Sequence, residues 1–131
     1  VIPDAESILT AYLAAQTGER IVGDTPRDLG AAWVRLTLLD ASNEAHSRPE
    51  HLIDNLLQLE CYAGSGPDGQ EEARELAVSI RGALADLSGP VDDAVVTAVR
   101  FAGMARVPDV ALEPARQRYI LTAHVYMHGV G

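Results

Sequence analysis

The order of apolar and polar positions along the chain predicts two helices and a set of alternating strands. From Asp4 to Thr17, Ala5, Ile8, Leu9, Tyr12 and Leu13 recur at the i, i+3, i+4, i+7, i+8 spacing of one helical face. Asp4 suits an N-cap, Glu6 the positive end of the helix dipole, and Gly18 a helix stop. Ile21-Val22 reads as a very short strand, and the turn chemistry of 25–30 follows, opened by Thr25-Pro26-Arg27. From Ala32 to Leu39 the period changes to two: Val34, Leu36 and Leu38 share one face, and Trp33, Arg35 and Thr37 the other. That pattern, with its aromatic and β-branched content, predicts a half-buried strand. A polar stretch at about 41–53 predicts a long loop. A further strand is expected over Asn55–Ala63, with Leu57, Leu59, Cys61 and Ala63 on one face and Leu56, Gln58, Glu60 and Tyr62 on the other.

Between Asp68 and Leu87 the helical period returns as an unbroken stripe of Ala73, Leu76, Ala77, Ile80, Ala83, Leu84 and Leu87. Asp68 and Glu71 have the spacing of a capping box, and Gly89-Pro90 reads as the stop. A single stripe implies one buried face, so this helix is expected to lie on one side of a sheet. Two long strands close the chain. Ala94–Val107 sets Val95, Thr97, Val99 and Phe101 on one face. Tyr119–His128 sets Tyr119, Leu121, Ala123, Val125 and Met127 on one face, and Ile120, Thr122, His124, Tyr126 and His128 on the other. The resulting order, α-(β)-β-β-α-β-β, predicts an α+β fold: a mostly antiparallel sheet with two helices packed on one face, in one domain spanning 1–131.

Composition narrows the function. The chain has 131 residues, a formal charge of −9 and basic residues that are all Arg. A strongly acidic chain does not suit a standing nucleic-acid binder or docking on an anionic membrane. One cysteine, Cys61, leaves no internal disulfide or Cys-based zinc site, and its place on an apolar strand face reads as an inert buried thiol. No apolar run reaches the ~18 residues of a membrane span, and the N-terminal residues lack a signal-peptide layout, so a soluble intracellular protein is expected. His124 and His128 are four apart on a strand, about 13 Å at ~3.3 Å per residue, too far to share an ion. His46 and His51, with Glu44, Arg48 and Glu50, match no metal signature. Gly64-x-Gly66-x-x-Gly69 has dinucleotide-loop spacing, but Asp68, Glu71 and Glu72 would set negative charge against the phosphates. No catalytic, cofactor or metal site is expected.

The whole-chain order of segments does carry a resemblance. Ile2-Pro3-Asp4-Ala5-Glu6 opens a short helix, and Thr25-Pro26-Arg27 forms a polar turn. Trp33-Val34-Arg35-Leu36, the long polar loop and Leu57-Gln58-Leu59-Glu60-Cys61-Tyr62-Ala63 follow. The helix start Gln70-Glu71-Glu72-Ala73-Arg74-Glu75-Leu76-Ala77 comes next, then two closing strands, the last opened by Arg116-Gln117-Arg118-Tyr119. In this order the chain resembles the tail terminator family of long-tailed bacteriophages, in the form found in phages of high-GC actinobacterial hosts. The order and spacing carry the match, which covers nearly the whole chain; no single segment is diagnostic.

The resemblance implies a non-enzymatic virion protein without a cofactor. It would form a homo-hexameric ring on the head-proximal end of the tail tube, stop tube polymerisation, and join the tail to the head. Its partners would be the major tail tube protein and a head-completion or connector protein, with DNA passing through the ring. Another head–tail connector or stopper is the alternative, and a small α+β ligand-binding domain or enzyme a more distant one. Glu44, His46, Arg48, Tyr62, Arg118, Ile120, His124, Tyr126 and Met127 are the candidate interface residues. The 42–50 loop and the final hairpin are expected to make the subunit or tube contacts. A ring of six acidic copies would repel DNA from its wall if those charges line the bore.

Overall fold

The computed structural model describes residues 3–27, 31–41, 52–64, 67–112 and 115–129. Helix α1 (Ala5–Thr17) starts where expected: the Asp4 carboxylate accepts hydrogen bonds from the Ser7 backbone N–H and hydroxyl, at 3.2 and 3.0 Å. It ends at Gly18, whose φ of 70° gives the left-handed turn that lets its N–H reach the Ala14 carbonyl. Strands β1 (Ile21–Val22), β2 (Trp33–Ala41) and β3 (Ile53–Tyr62) follow, then helix α2 (Gly69–Ala85) and strands β4 (Gly89–Val91), β5 (Ala94–Arg106) and β6 (Arg118–Gly129).

The six strands form one sheet in the order β1-β2-β3-β6-β5-β4. All neighbours are antiparallel except β1 and β2, which run parallel. The fold is therefore α+β, with both helices on one face. Ile8, Leu9 and Leu13 of α1 and Leu76, Ala77, Ile80 and Leu84 of α2 share a core with Leu36, Leu57, Leu59, Cys61, Leu121, Ala123 and Val125 of the sheet. The alternation read from β3 and β6 is the alternation observed: each of those strands sends every second side chain into this core. The helices are also joined by a directional contact, the Tyr12 hydroxyl donating to the Ala83 carbonyl at 2.8 Å. Tyr12→Phe is expected to cost about 1 kcal/mol, measured by urea unfolding.

Several expectations are corrected. Gly89-Pro90 does not merely stop the second helix; it begins β4, a short edge strand in which a proline is tolerated because one side needs no N–H. The capping box does not form: the Asp68 side chain makes no cap bond, and Glu72 instead accepts from the Gly64 N–H at 3.0 Å. Strand β3 begins at Ile53 and β2 reaches Ala41, so both ends of the expected 41–53 loop belong to strands; residues 42–51, with Glu44, His46, Arg48 and His51, lie outside the described residues.

The facing of β5 also differs. Its register against β6 shifts between Val96 and Ala98 and again between Phe101 and Gly103. Each extra residue inverts the alternation. Val96, Val99, Phe101 and Met104 therefore lie opposite Met127, Val125, Ala123 and Leu121 on the helix side, whereas Val95, opposite His128, lies on the other face. Val95, Thr97, Val99 and Phe101 do not share one face.

Candidate assembly surface

The sheet face away from the helices is built from the alternate residues of β2, β3 and β6. At one end it carries a second, polar core. Trp33 and Tyr62, paired across β2 and β3, stack with ring centroids 3.9 Å apart and planes 12° from parallel, and both are fully buried. The strand expected to be half-buried thus buries its far-face tryptophan completely. Beside the stack lies Glu60, 4% exposed at its side chain, between two guanidinium groups. Arg35 donates to both of its oxygens at 2.8 Å, a bidentate fork, and Arg118 donates to Oε2 at 2.7 Å. Arg118 also donates to the Tyr62 hydroxyl at 3.2 Å and to the Val107 carbonyl at 2.8 Å. The Tyr62 hydroxyl in turn donates to Asp109 at 2.8 Å. The network ties β2, β3 and β6 to the turn after β5.

Its electrostatics follow from this packing. Burial works against the Arg35 charge, but the Glu60 hydrogen bond and charge outweigh it and hold its pKa above the usual value. Burial likewise opposes the Asp109 carboxylate, yet the bonds from Tyr62 and the Ala111 N–H, with the charges of Arg118 and Arg35, keep its pKa low. Burial, with the hydrogen bond to Asp109, pushes the Tyr62 phenol up to about 12 against the opposing pull of Arg118. Burial also pushes the Cys61 thiol up to about 12, so it is not a thiolate nucleophile near neutral pH. For both groups the folded pKa exceeds the unfolded one. Their contribution to stability is therefore complete below the unfolded values of 9.0 and 10.0 and is lost as pH rises towards 12. The urea midpoint is expected to fall across that window, and less steeply in Tyr62→Phe.

Further along the same face stand Leu56, Ile120, His124, Tyr126 and His128, all half-buried. Asp54 holds the His124 Nδ1 at 2.8 Å, and the imidazole lies nearly parallel to the Tyr126 ring with centroids 6.1 Å apart. His128 Nδ1 lies 2.8 Å from the Gly129 carbonyl oxygen. No helix among the described residues covers this face, and no group of three or more metal-ligating side chains occurs among them. No helix of the described residues is long and apolar enough to cross a membrane.

Of the candidate interface residues in the described part of the chain, the structure brings Ile120, His124 and Tyr126 together as surface. Met127 is 1% exposed and belongs to the helix-side core, because odd positions of β6 face inward. Tyr62 is fully buried by Trp33 and the arginine network at one end of the same face. Arg118 is drawn inward by Glu60 and serves the network as well. The roles of Glu60 and Asp109 carry no sequence signal strong enough to find them: their partners Arg118 and Tyr62 lie 58 and 47 residues away. A glutamate two positions before a tyrosine on the polar side of a strand was the available hint. Comparison with protein-family models finds none that matches the chain, and comparison with curated proteins finds no significant match.

Proposed function

We propose that this protein is a structural ring component of a phage tail, of the tail-terminator kind, that caps the head-proximal end of the tail tube and joins it to the head. The reading gives the chain no catalytic step. Its support is the ordered series of segments across nearly the whole chain. The structural observation that favours it is the helix-free sheet face. Leu56, Ile120, His124 and Tyr126 are set there on the two central strands, and the Trp33–Tyr62 stack with its arginine network fixes one end of the same face. A rigid sheet face of mixed aromatic and polar residues suits repeated docking of identical subunits better than it suits a ligand cleft. The net charge of −9 per copy would help DNA slide through the ring without adhering to its wall.

Tyr126→Asp tests the docking face. It introduces a carboxylate beside Asp54, its partner in the β3–β6 register. The variant is expected to fold with a stability within about 1 kcal/mol of the parent. It should fail to form rings on purified tail tubes, as seen by cryo-electron microscopy. Normal rings from the variant would refute this placement. A parent protein that ignores tubes and stays monomeric at high concentration would refute the function.

A further inference from the structure

The two edges of the sheet carry opposite charge next to unpaired backbone. At one edge, β4 pairs only with Ala94–Val96, so no strand of the described residues pairs with the outer side of β5 from Thr97 to Arg106. A groove of about 660 Å³ runs between that edge and α2, floored by Val78, Phe101 and Met104. The charged residues lining it are Arg74 and Arg81, with no carboxylate among them, and Arg81 lies 4.6 Å over the Phe101 ring. Arg106 stands on the same strand and donates to Gln117 at 3.1 Å, whereas Arg100, opposite His124, lies on the helix-free face; none of these four arginines makes an ion pair among the described residues. Val78 and Met104 are 46% and 38% exposed, more apolar surface than an idle edge requires.

At the opposite edge, β1 pairs only with Val34 and Arg35, so Leu36–Ala41 of β2 likewise meets no strand on its outer side among the described residues. A second groove, of about 550 Å³, lies between α1 and Gly23, which follows the edge strand β1, and its charged lining residues are Asp4 and Glu6, with no arginine. Asp40 and the 49%-exposed Leu39 project from the open part of β2. On a chain of net charge −9, a groove whose charged lining is Arg74 and Arg81 at one edge and one whose charged lining is Asp4 and Glu6 at the other are electrostatic complements, although Arg74 also borders Asp68 and Glu71 at the start of α2.

We infer that the arginine-lined β5–α2 edge of one copy receives the acidic α1–β2 edge of a second copy, head to tail, extending the sheet from subunit to subunit. Pairing of two β5 edges about a two-fold axis is disfavoured, because it sets one arginine cluster against an identical one. A head-to-tail contact leaves a complementary edge free at each end, so it closes into a ring or continues as a chain. It thereby supplies the contact a ring needs, and for closure it rests on the ring reading above. The charge in the contact makes assembly weaker as salt rises.

The test uses two charge-reversed proteins. One carries Arg74→Glu and Arg81→Glu; the other carries Glu6→Arg and Asp40→Arg. Asp4 is left in place because it caps α1. Sedimentation of each protein alone, and of the two mixed in equal amounts, reads the result. Each variant alone is expected to associate at least about a hundredfold more weakly than the parent, since reversal sets like charges together. The mixture should regain assembly, because in alternation a reversed groove meets a reversed edge at one contact and a parent groove a parent edge at the next, so opposite charges meet at every contact. Circular dichroism of each variant establishes that it folds.

Parent rings with both variants assembling normally would overturn this interface and leave the ring reading standing. Open chains from the parent, with rescue on mixing, would support the interface and refute closure. A parent that forms only two-fold dimers, or stays monomeric, would overturn this interface, and the ring reading falls with it only if the parent also forms no rings on tail tubes.

Discussion

Replacing Glu60 with alanine is expected to lower stability by about 2–4 kcal/mol, although it removes only one small carboxylate. The loss comes from what remains. Arg35 and Arg118 both point at Glu60 from neighbouring strands at 2.7 Å, and without it two cations face each other beside the Trp33–Tyr62 stack. Breaking a fully buried ion pair costs roughly 3–5 kcal/mol. Here the figure is reduced because the Arg35 and Arg118 side chains keep 28% and 15% of their exposure, and water screens part of the repulsion. Glu60→Gln preserves the shape and one acceptor, so it should lose less. Replacing Arg35, Glu60 and Arg118 together by Met, Leu and Met should come within about 2 kcal/mol of the parent, because no buried charge is stranded and Asp109 keeps its bonds from the Tyr62 hydroxyl and the Ala111 N–H. Urea unfolding of the three variants measures the contrast. A Glu60→Ala loss below about 0.5 kcal/mol would mean that the cluster behaves as an ordinary surface pair.

Trp33→Ala is expected to cost about 3–5 kcal/mol, the range for truncating a fully buried large aromatic. It also has a spectroscopic consequence that a helix-side core truncation lacks. Trp33 covers one face of the Tyr62 ring, and burial is the largest cause holding that phenol near pH 12. With the indole gone, water reaches the ring, and the Tyr62 pKa should fall towards its ordinary 10.0. Phenolate absorbance during alkaline titration follows it directly. Leu59→Ala serves as the control: it also opens a core, but on the helix side, and should leave the Tyr62 titration in place. If both variants shift the titration equally, Trp33 is not what shields Tyr62. Loss of the stack should also weaken ring assembly more than the stability change alone explains, since the stack fixes one end of the proposed docking face.

Both effects concern residues whose element and facing were readable from the chain but whose surroundings were not. Trp33, Glu60 and Tyr62 were assigned to the polar side of their strands, and they do lie on the face away from the helices. Alternation in one strand, however, says nothing about what arrives from another. Arg118 comes from β6 and Asp109 from the turn beyond β5, and together with Arg35 they convert a nominally solvated face into a buried cluster. Met127 shows the opposite case. It stands among the interface candidates of the sequence although it shares a face with Leu121, Ala123 and Val125, and the structure buries that face against the helices, leaving Met127 1% exposed.

What the sequence determined by itself is what a few neighbouring residues decide. The helical stripes of α1 and α2, the Asp4 cap, the Gly18 stop and the facing of β3 and β6 each depend on spacing within one segment, and periods of 3.6 and 2 are properties of the local backbone. From these the α+β arrangement follows, with helices on one face.

The tertiary structure alone decided the rest. The two β5 bulges appear only when β5 is laid against β6, because an inserted residue is defined by its partner strand. The opposite charge of the two grooves, Arg74 and Arg81 in one and Asp4 and Glu6 in the other, is also invisible in the net charge of −9, which is a sum over residues whose positions the fold sets. Local spacing specifies which way a side chain points; pairing between distant segments specifies what it meets.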